Sequence, residues 1–366
     1  MRRAAGLVWI GVVLTTIVPF GVQAGASGVI RGNMLRTGVL ETKAIPSVQG
    51  VLWTCRTTGP VRSSPVIDNG SVYCGTEDGQ LMKLDLKTGK PIWSCRIGGR
   101  ISTPPTVEGT AVYVGSEDES VVAVDAETGK EVKRYAVNMP LTGVAPLISE
   151  GFLVTPTWYT KLMRVSLSTG EASWTIGIRG DTTGAPALSG NRLVVGSSAP
   201  GIHSIEVTTG AVQWEFPTAG VVPGSPAIDR ALVFAGDRAG TLYAIDLNTG
   251  KASWTFSVGS PVLGSPAVAF DSVFICGGDG RIVCVEEKTG AKKWSYQAEA
   301  AIESSPVIAG EMVFVGSLDS FVYALNARTG ALVWKYRAGA SISVSPVISD
   351  GICVIGSEDG QLVALH

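Results

Sequence analysis

The dipeptide Thr-Gly recurs at Thr88-Gly89, Thr128-Gly129, Thr169-Gly170, Thr209-Gly210, Thr249-Gly250, Thr289-Gly290 and Thr329-Gly330, at steps of 40 residues with a single step of 41. A period of this length confines the chain to a repeat architecture, in which each unit buries its faces against its neighbours. Four residues after most of these glycines stands a tryptophan: Trp93, Trp174, Trp214, Trp254, Trp294 and Trp334, with Trp53 completing the series at the front. In the second unit Lys133 or Arg134 takes its place. A proline follows a small residue or, in the second unit, another proline at Pro65, Pro105, Pro146, Pro186, Pro226, Pro266, Pro306 and Pro346, so there are eight units.

Each unit reads as short strands. In the first, alternating apolar residues flank Asp78-Gly79, the dipeptide that most strongly favours a hairpin. Four strands fit: A beginning near the proline, B entering the Asp-Gly turn, C leaving it, and D carrying the tryptophan. The Asp, Asn or Glu four residues before the repeat glycine, such as Asp85, Asp125, Asp246 and Asn326, is placed to hydrogen-bond the turn while the glycine takes positive φ. The expectation is an all-β fold, an eight-bladed β-propeller of four-stranded antiparallel blades. Glycine at 46 residues, proline at 19 and a hydrophobic content of 45% suit a turn-rich chain with a large core. The last unit ends after its third strand, and Trp53 lies in a strand of the missing kind, so the N-terminal strand is expected to complete blade 8.

Arg2 and Arg3 precede an apolar run from Ala4 to Phe20, with small residues at Ala24 and Ala26 at the spacing a signal peptidase reads. Residues 1–26 are read as a cleavable signal peptide in preference to an uncleaved anchor, because the run is short for a membrane span and Pro19 interrupts it. The remaining divisions are a lead-in segment over 27–49 and the propeller over 50–366. The expected product is a periplasmic or secreted monomeric ring with no integral membrane span after cleavage. With 29 basic against 31 acidic side chains, nothing draws it in bulk to nucleic acid.

The segment from Val112 to Asp118, followed by Val121 to Lys130 with Asp125 and Thr128-Gly129, resembles the pyrroloquinoline-quinone-like repeat. The resemblance covers residues 50–366, and Arg31-Gly32-Asn33 is similar to the start of exported members. It implies a propeller whose tryptophans dock between blades. It leaves function open, because the family includes quinone dehydrogenases, the propeller lipoprotein of the outer-membrane assembly machinery and sensor domains. The quinone enzymes carry adjacent cysteines beside the cofactor and a calcium site of Glu, Asn and Asp. Here Cys55, Cys74, Cys95, Cys276, Cys284 and Cys353 are all separate. No cofactor is therefore expected; the quinone with calcium belongs to the alternative reading, a dehydrogenase or sensor using the central funnel. Two disulfides are open, Cys55 with Cys95 and Cys276 with Cys284, against buried free thiols.

Candidate binding residues are those that break the repeat. Asp78, Asp118, Asp279, Asp319 and Asp359 mark the B–C turns of blades 1, 2, 6, 7 and 8, whereas blades 3, 4 and 5 carry Tyr159, Ala199 and Ala239. The one inserted residue lies between Lys133 and Pro146. Antiparallel tracing puts the B–C turns and D–A loops on one face, so Trp158, Tyr159, Lys161, Arg179, Asp181, His203 and Arg238 gather in one sector and suit a protein partner. The competing reading is drift of these blades. Arg62, Glu303 and Ser343, three residues before repeat prolines, form a second group at the channel mouth, expected as an ion pair or hydrated charges. With His203 and His366 the only histidines, no catalytic or metal-ligating set is assigned. A Ser-His-Asp arrangement on His203 is set against a surface histidine.

Overall fold

The computed structural model describes residues 28–157 and 159–366, so the expected signal peptide lies outside the described residues. Blade 1 shows the plan: A is Val66–Asp68, B Ser71–Gly75, C Gln80–Asp85 and D Pro91–Arg96, paired antiparallel in chain order. The same four-stranded sheet recurs eight times, and the described residues contain no α-helix. In blade 8 the outer strand is Val51–Arg56, antiparallel to Gln361–Leu365, so the N-terminal strand closes the ring as expected. None of the described helices is long and apolar enough to cross a membrane.

The Thr-Gly…Trp pattern has a direct cause. The Trp53 indole donates to the Leu86 carbonyl, and Trp93, Trp174, Trp214, Trp254 and Trp294 repeat the bond across the next five such seams at 2.8–3.0 Å. Each ring also lies on the glycine of the next blade: a Cβ on Gly89 would meet Trp53 Cδ2 at 2.4 Å, and its φ of 67° disfavours any other residue. Asp85 accepts from the Thr88 N–H and hydroxyl, fixing the turn that presents that glycine.

Lys133 takes the tryptophan position in blade 2. Its Nζ donates to the carbonyls of Leu167 and Ser168 at 2.8 Å each, an amine bridging the seam an indole closes elsewhere. Arg134 faces away and pairs with Asp118 and Glu131. Between blades the core forms layers: Phe274 and Cys284 of blade 6 pack with Val313 and Tyr323 of blade 7. Each fully buried phenylalanine contributes about 2–3 kcal/mol.

The lead-in segment does more than lead in. It crosses the channel at the end bearing the A–B and Thr-Gly turns, its carbonyls taking N–H bonds from the inner strands of five blades: Gly28 from Val107, Met34 from Leu188, Leu35 from Ile228, Thr37 from Val268 and Gly38 from Ile308. Val39–Leu40 then pairs parallel with blade 7. Two buried arginines pin this plug. Arg31 donates to the carbonyls of Arg36, Pro266 and Pro306, and Arg36 to those of Pro186 and Ile30. Burial pushes both guanidinium groups down to about 9, so both are charged at neutral pH and rest on carbonyl dipoles in place of carboxylates.

All six cysteines are free thiols. Cys276 stands opposite Ile282 and Cys284 opposite Phe274, a two-residue offset that takes the second proposed disulfide out of register.

Candidate functional site

The face opposite the plug carries a groove of about 380 Å³ between blades 3, 4 and 5. Its walls come from three D–A loops, with Met139, Pro140 and Val144 leading into blade 3, Asp181 and Thr182 into blade 4, and Val221 and Pro223 into blade 5; B–C turns add Pro156, Ser198 and Arg238. The loop with the inserted residue is thus one wall, and the structure brings Asp181 and Arg238 to the same groove.

Hydrogen bonds hold these loops rigidly. Asp181 and Ser198 lock to each other, the Ser198 N–H donating to the Asp181 carbonyl at 2.8 Å and the Asp181 N–H to the Ser198 hydroxyl at 2.9 Å. In blade 5 the wholly buried Asp237 accepts from the N–H groups of Gly220 and Thr241 and from the Tyr243 hydroxyl, which pushes that phenol up, burial being the larger cause. The Arg238 N–H donates to the Val221 carbonyl. The backbone beneath both charges is fixed, while the Asp181 carboxylate and Arg238 guanidinium are exposed and make no ion pair among the described residues. The Thr182 hydroxyl is buried on the groove wall and has no hydrogen-bond partner among the described residues.

Beside the groove, Tyr159 is 77% exposed, and it and Thr160 both have φ of 58°. Two successive non-glycine residues in the left-handed region cost about 1 kcal/mol or more each, strain that an Asp-Gly turn avoids in other blades. Trp158 lies outside the described residues. Lys161 and Arg179 are exposed but line no part of the groove.

His203 corrects the reading of a surface histidine. It is 2% exposed on strand C of blade 4, where consecutive residues from Gly201 to Ile205 are all buried because both faces of the strand are covered. Its Nε2 lies 3.1 Å from the Ser197 hydroxyl and its Nδ1 3.6 Å from Glu215. This resembles a hydrolytic triad in composition alone. Ser197 is fully buried and its hydroxyl donates to backbone carbonyls in its own turn, so the oxygen is neither reachable nor activated. Burial lowers the His203 pKa, with Glu215 opposing.

The channel is a blind funnel of about 250 Å³ with Ile30 and Arg31 at its floor. A ladder of serines before the repeat prolines lines it: the N–H of Ser225 donates to the Ser265 hydroxyl, Ser265 to Ser305, Ser305 to Ser345 and Ser345 to Ser64. At the mouth, Arg62 does not pair with Glu303. Glu77 and Glu358 hold it at 3.3 and 3.8 Å, and Ser343 donates to Glu358. The B–C turn carboxylates of blades 1 and 8 reach Arg62 first, a contact the spacing of D–A loop residues does not reveal. Among the described residues no three His, Cys, Asp or Glu side chains are grouped for a metal ion.

A closed ring of eight blades, seven of its seams docked by tryptophan and one by Lys133, plugged at one end and irregular over three blades at the other, defines a propeller of the quinone-repeat class. The family model described as outer membrane protein assembly factor BamB matches residues 48–140, 117–265 and 238–366, and the chain belongs to that family. Among solved structures it is similar to BamB from Moraxella catarrhalis, with a TM-score of 0.76, 17% identity, and coverage of 87% of this chain and 99% of that one. It is equally similar in fold to the quinohemoprotein alcohol dehydrogenase from Comamonas testosteroni, with a TM-score of 0.76, 15% identity, and coverage of 93% and 80%. A europium-containing methanol dehydrogenase gives 0.75 at 13% identity, over 91% of this chain and 90% of that one. Identities this low establish the fold alone. A comparison with curated proteins finds no sequence match.

Among the described residues the funnel is lined by serine, glycine, proline and aliphatic side chains together with the charged Arg31, Arg62 and Glu303, with no aromatic face and no adjacent cysteines, and Arg62 is engaged by two carboxylates at the mouth.

Proposed function

We propose that this chain is an exported, extracytoplasmic scaffold without catalytic activity of its own, which binds a protein partner through the groove of blades 3 to 5, in the setting of cell-envelope protein assembly. The observation that carries the reading is the pair of unpaired charges, Asp181 and Arg238, fixed on a rigid groove walled by Met139, Pro140, Val144 and Val221. Opposite charges on a groove of mixed polar and apolar walls recognise a polypeptide segment by register and contact area together. Family membership and the family model's description support the envelope setting.

The test is a Tyr159→Ala, Asp181→Ala, Arg238→Ala variant compared with the wild type in recovery of partners from the native envelope. All three side chains are exposed, so the variant keeps its fold and thermal midpoint, and it loses the partner. Unchanged recovery by a folded variant overturns the proposal.

A further inference from the structure

One position of strand C is taken by Met82, Val122, Met163, Val283 and Val363 in blades 1, 2, 3, 6 and 8, by Tyr243 and Tyr323 in blades 5 and 7, and by His203 in blade 4. Where this residue is polar, it staples two loops of the groove face together. The Tyr243 hydroxyl donates to Asp237 in its own B–C turn at 2.8 Å and accepts the Ala219 N–H from the preceding D–A loop at 2.9 Å. Tyr323 joins Asp319 to the Glu299 N–H in the same way. In blade 4 the His203 Nε2 lies 3.1 Å from the Ser197 hydroxyl, at the turn position equivalent to Asp237, and the backbone of Arg179, equivalent to Ala219, bears on the ring. Of the three staples, the histidine alone titrates near neutral pH.

The turn that His203 holds lies between two walls of the groove. The Thr183 N–H donates to the Gly196 carbonyl and the Val222 N–H to the Ser197 carbonyl, while Ser198 is locked to Asp181 in both directions. Because the Ser197 hydroxyl donates to the Ala199 and Gly201 carbonyls, its contact with Nε2 is a donation from the ring, and Nδ1 is the nitrogen without a proton. Nδ1 is buried with no hydrogen-bond partner among the described residues, 3.6 Å from the Glu215 carboxylate. The charged groups acting on the ring are Glu215, its cross-strand partner on strand D, and Arg179 on the loop; strand B puts Val195 opposite it. A lone pair aimed at a carboxylate becomes a hydrogen bond once a proton is added.

We propose that His203 is the positioning residue of the groove and makes its shape depend on pH. Neutral, it fixes the B–C turn of blade 4 and, through Ser198, the backbone of Asp181. When solvent supplies a proton to Nδ1, the imidazolium pairs with Glu215 and repels Arg179, and the loop over 179–183 comes free of the turn. This rests on the reading of the groove as a polypeptide site and adds its regulation: the segment is held near neutral pH and released in acid.

The test is hydrogen exchange of the full chain alone from pH 7.5 to pH 5, expressed as protection relative to the unfolded chain at each pH. Protection over 179–183 and 197–201 falls by up to about tenfold per pH unit below 6.5, while 219–223 and 237–241, stapled by Tyr243, stay constant. His203→Gln keeps a donor for Ser197 and removes the titration, so its loops stay protected throughout. Glu215→Gln removes the carboxylate that stabilises the imidazolium and moves the loss to lower pH. Constant protection in the wild type, an equal loss in blade 5, or the same loss in His203→Gln overturns the proposal. Partners recovered on the wild type at pH 7.5 are shed at pH 5 and kept by His203→Gln; partners kept by the wild type at pH 5 overturn the release. Exchange needs no partner, so the staple and the polypeptide site fail separately: titrating protection with full recovery by the Tyr159→Ala, Asp181→Ala, Arg238→Ala variant overturns the site and the release with it.

Discussion

The Trp334 indole donates at 2.7 Å to the carbonyl of Ile45, 289 residues earlier in the chain. Every other seam tryptophan bonds a carbonyl 33 residues ahead of it, which for Trp334 would lie one residue past His366. The lead-in segment supplies the missing acceptor, and Gln49 and Gly50 bond His366 beside it. Ring closure is therefore both a strand and a turn borrowed from the other end of the chain. Trp334→Phe leaves the Ile45 carbonyl unpaired at a cost of about 1–2 kcal/mol, the same as Trp294→Phe at an ordinary seam. Removing residues 28–56 takes the turn, the strand and the plug together and abolishes cooperative unfolding in denaturant. A stable monomeric ring after that deletion contradicts the closure.

Lys133 replaces an indole with an amine at one seam and satisfies two carbonyls at once. Lys133→Met removes both bonds, leaving the Leu167 carbonyl to the Tyr135 hydroxyl and the exposed Ser168 carbonyl to water, and lowers stability by about 0.5–1.5 kcal/mol. Lys133→Trp restores the repeat and recovers most of that loss, as read by chemical denaturation. A Met variant as stable as the wild type shows that water replaces the amine freely.

Burial lowers the folded pKa of His203 below the ordinary imidazole value of 6.5. The unfolded chain then binds more protons than the folded one between the two values, so stability falls as the pH drops through about 6.5 and levels off below the lowered value. The thermal midpoint falls from pH 7.5 to pH 5 in the wild type and falls less in His203→Gln. Identical slopes in the two proteins contradict a neutral buried imidazole.

Of the six thiols, Cys55 and Cys95 are half-buried and Cys74, Cys276, Cys284 and Cys353 are buried, with burial pushing Cys74 and Cys353 up to about 12. Alkylation of the native protein adds two labels slowly, and denaturant without reductant exposes all six. Fewer than six labels in denaturant reveals a disulfide.

The repeat was legible because each of its marks does one local job: glycine for positive φ beneath a tryptophan, aspartate to cap the turn, proline to start an inner strand. The groove was legible in outline, as the sector where those jobs are left undone at Tyr159, Ala199 and Ala239. The plug was not, because Arg31 and Arg36 bond backbone carbonyls of distant blades, and carbonyls leave no trace in side-chain spacing. Nor was the burial of His203, since a strand inside a packed blade has no polar face for the alternation to announce.

The most direct measurement of the central claim is photo-crosslinking in the native envelope, with a crosslinking residue placed at Arg238 in the groove or at Arg192 on the opposite end of blade 4. The account predicts one crosslinked polypeptide from position 238, abolished by Asp181→Ala, and none from position 192. Crosslinks of equal yield from both positions, or none from position 238 in a folded protein, contradict it.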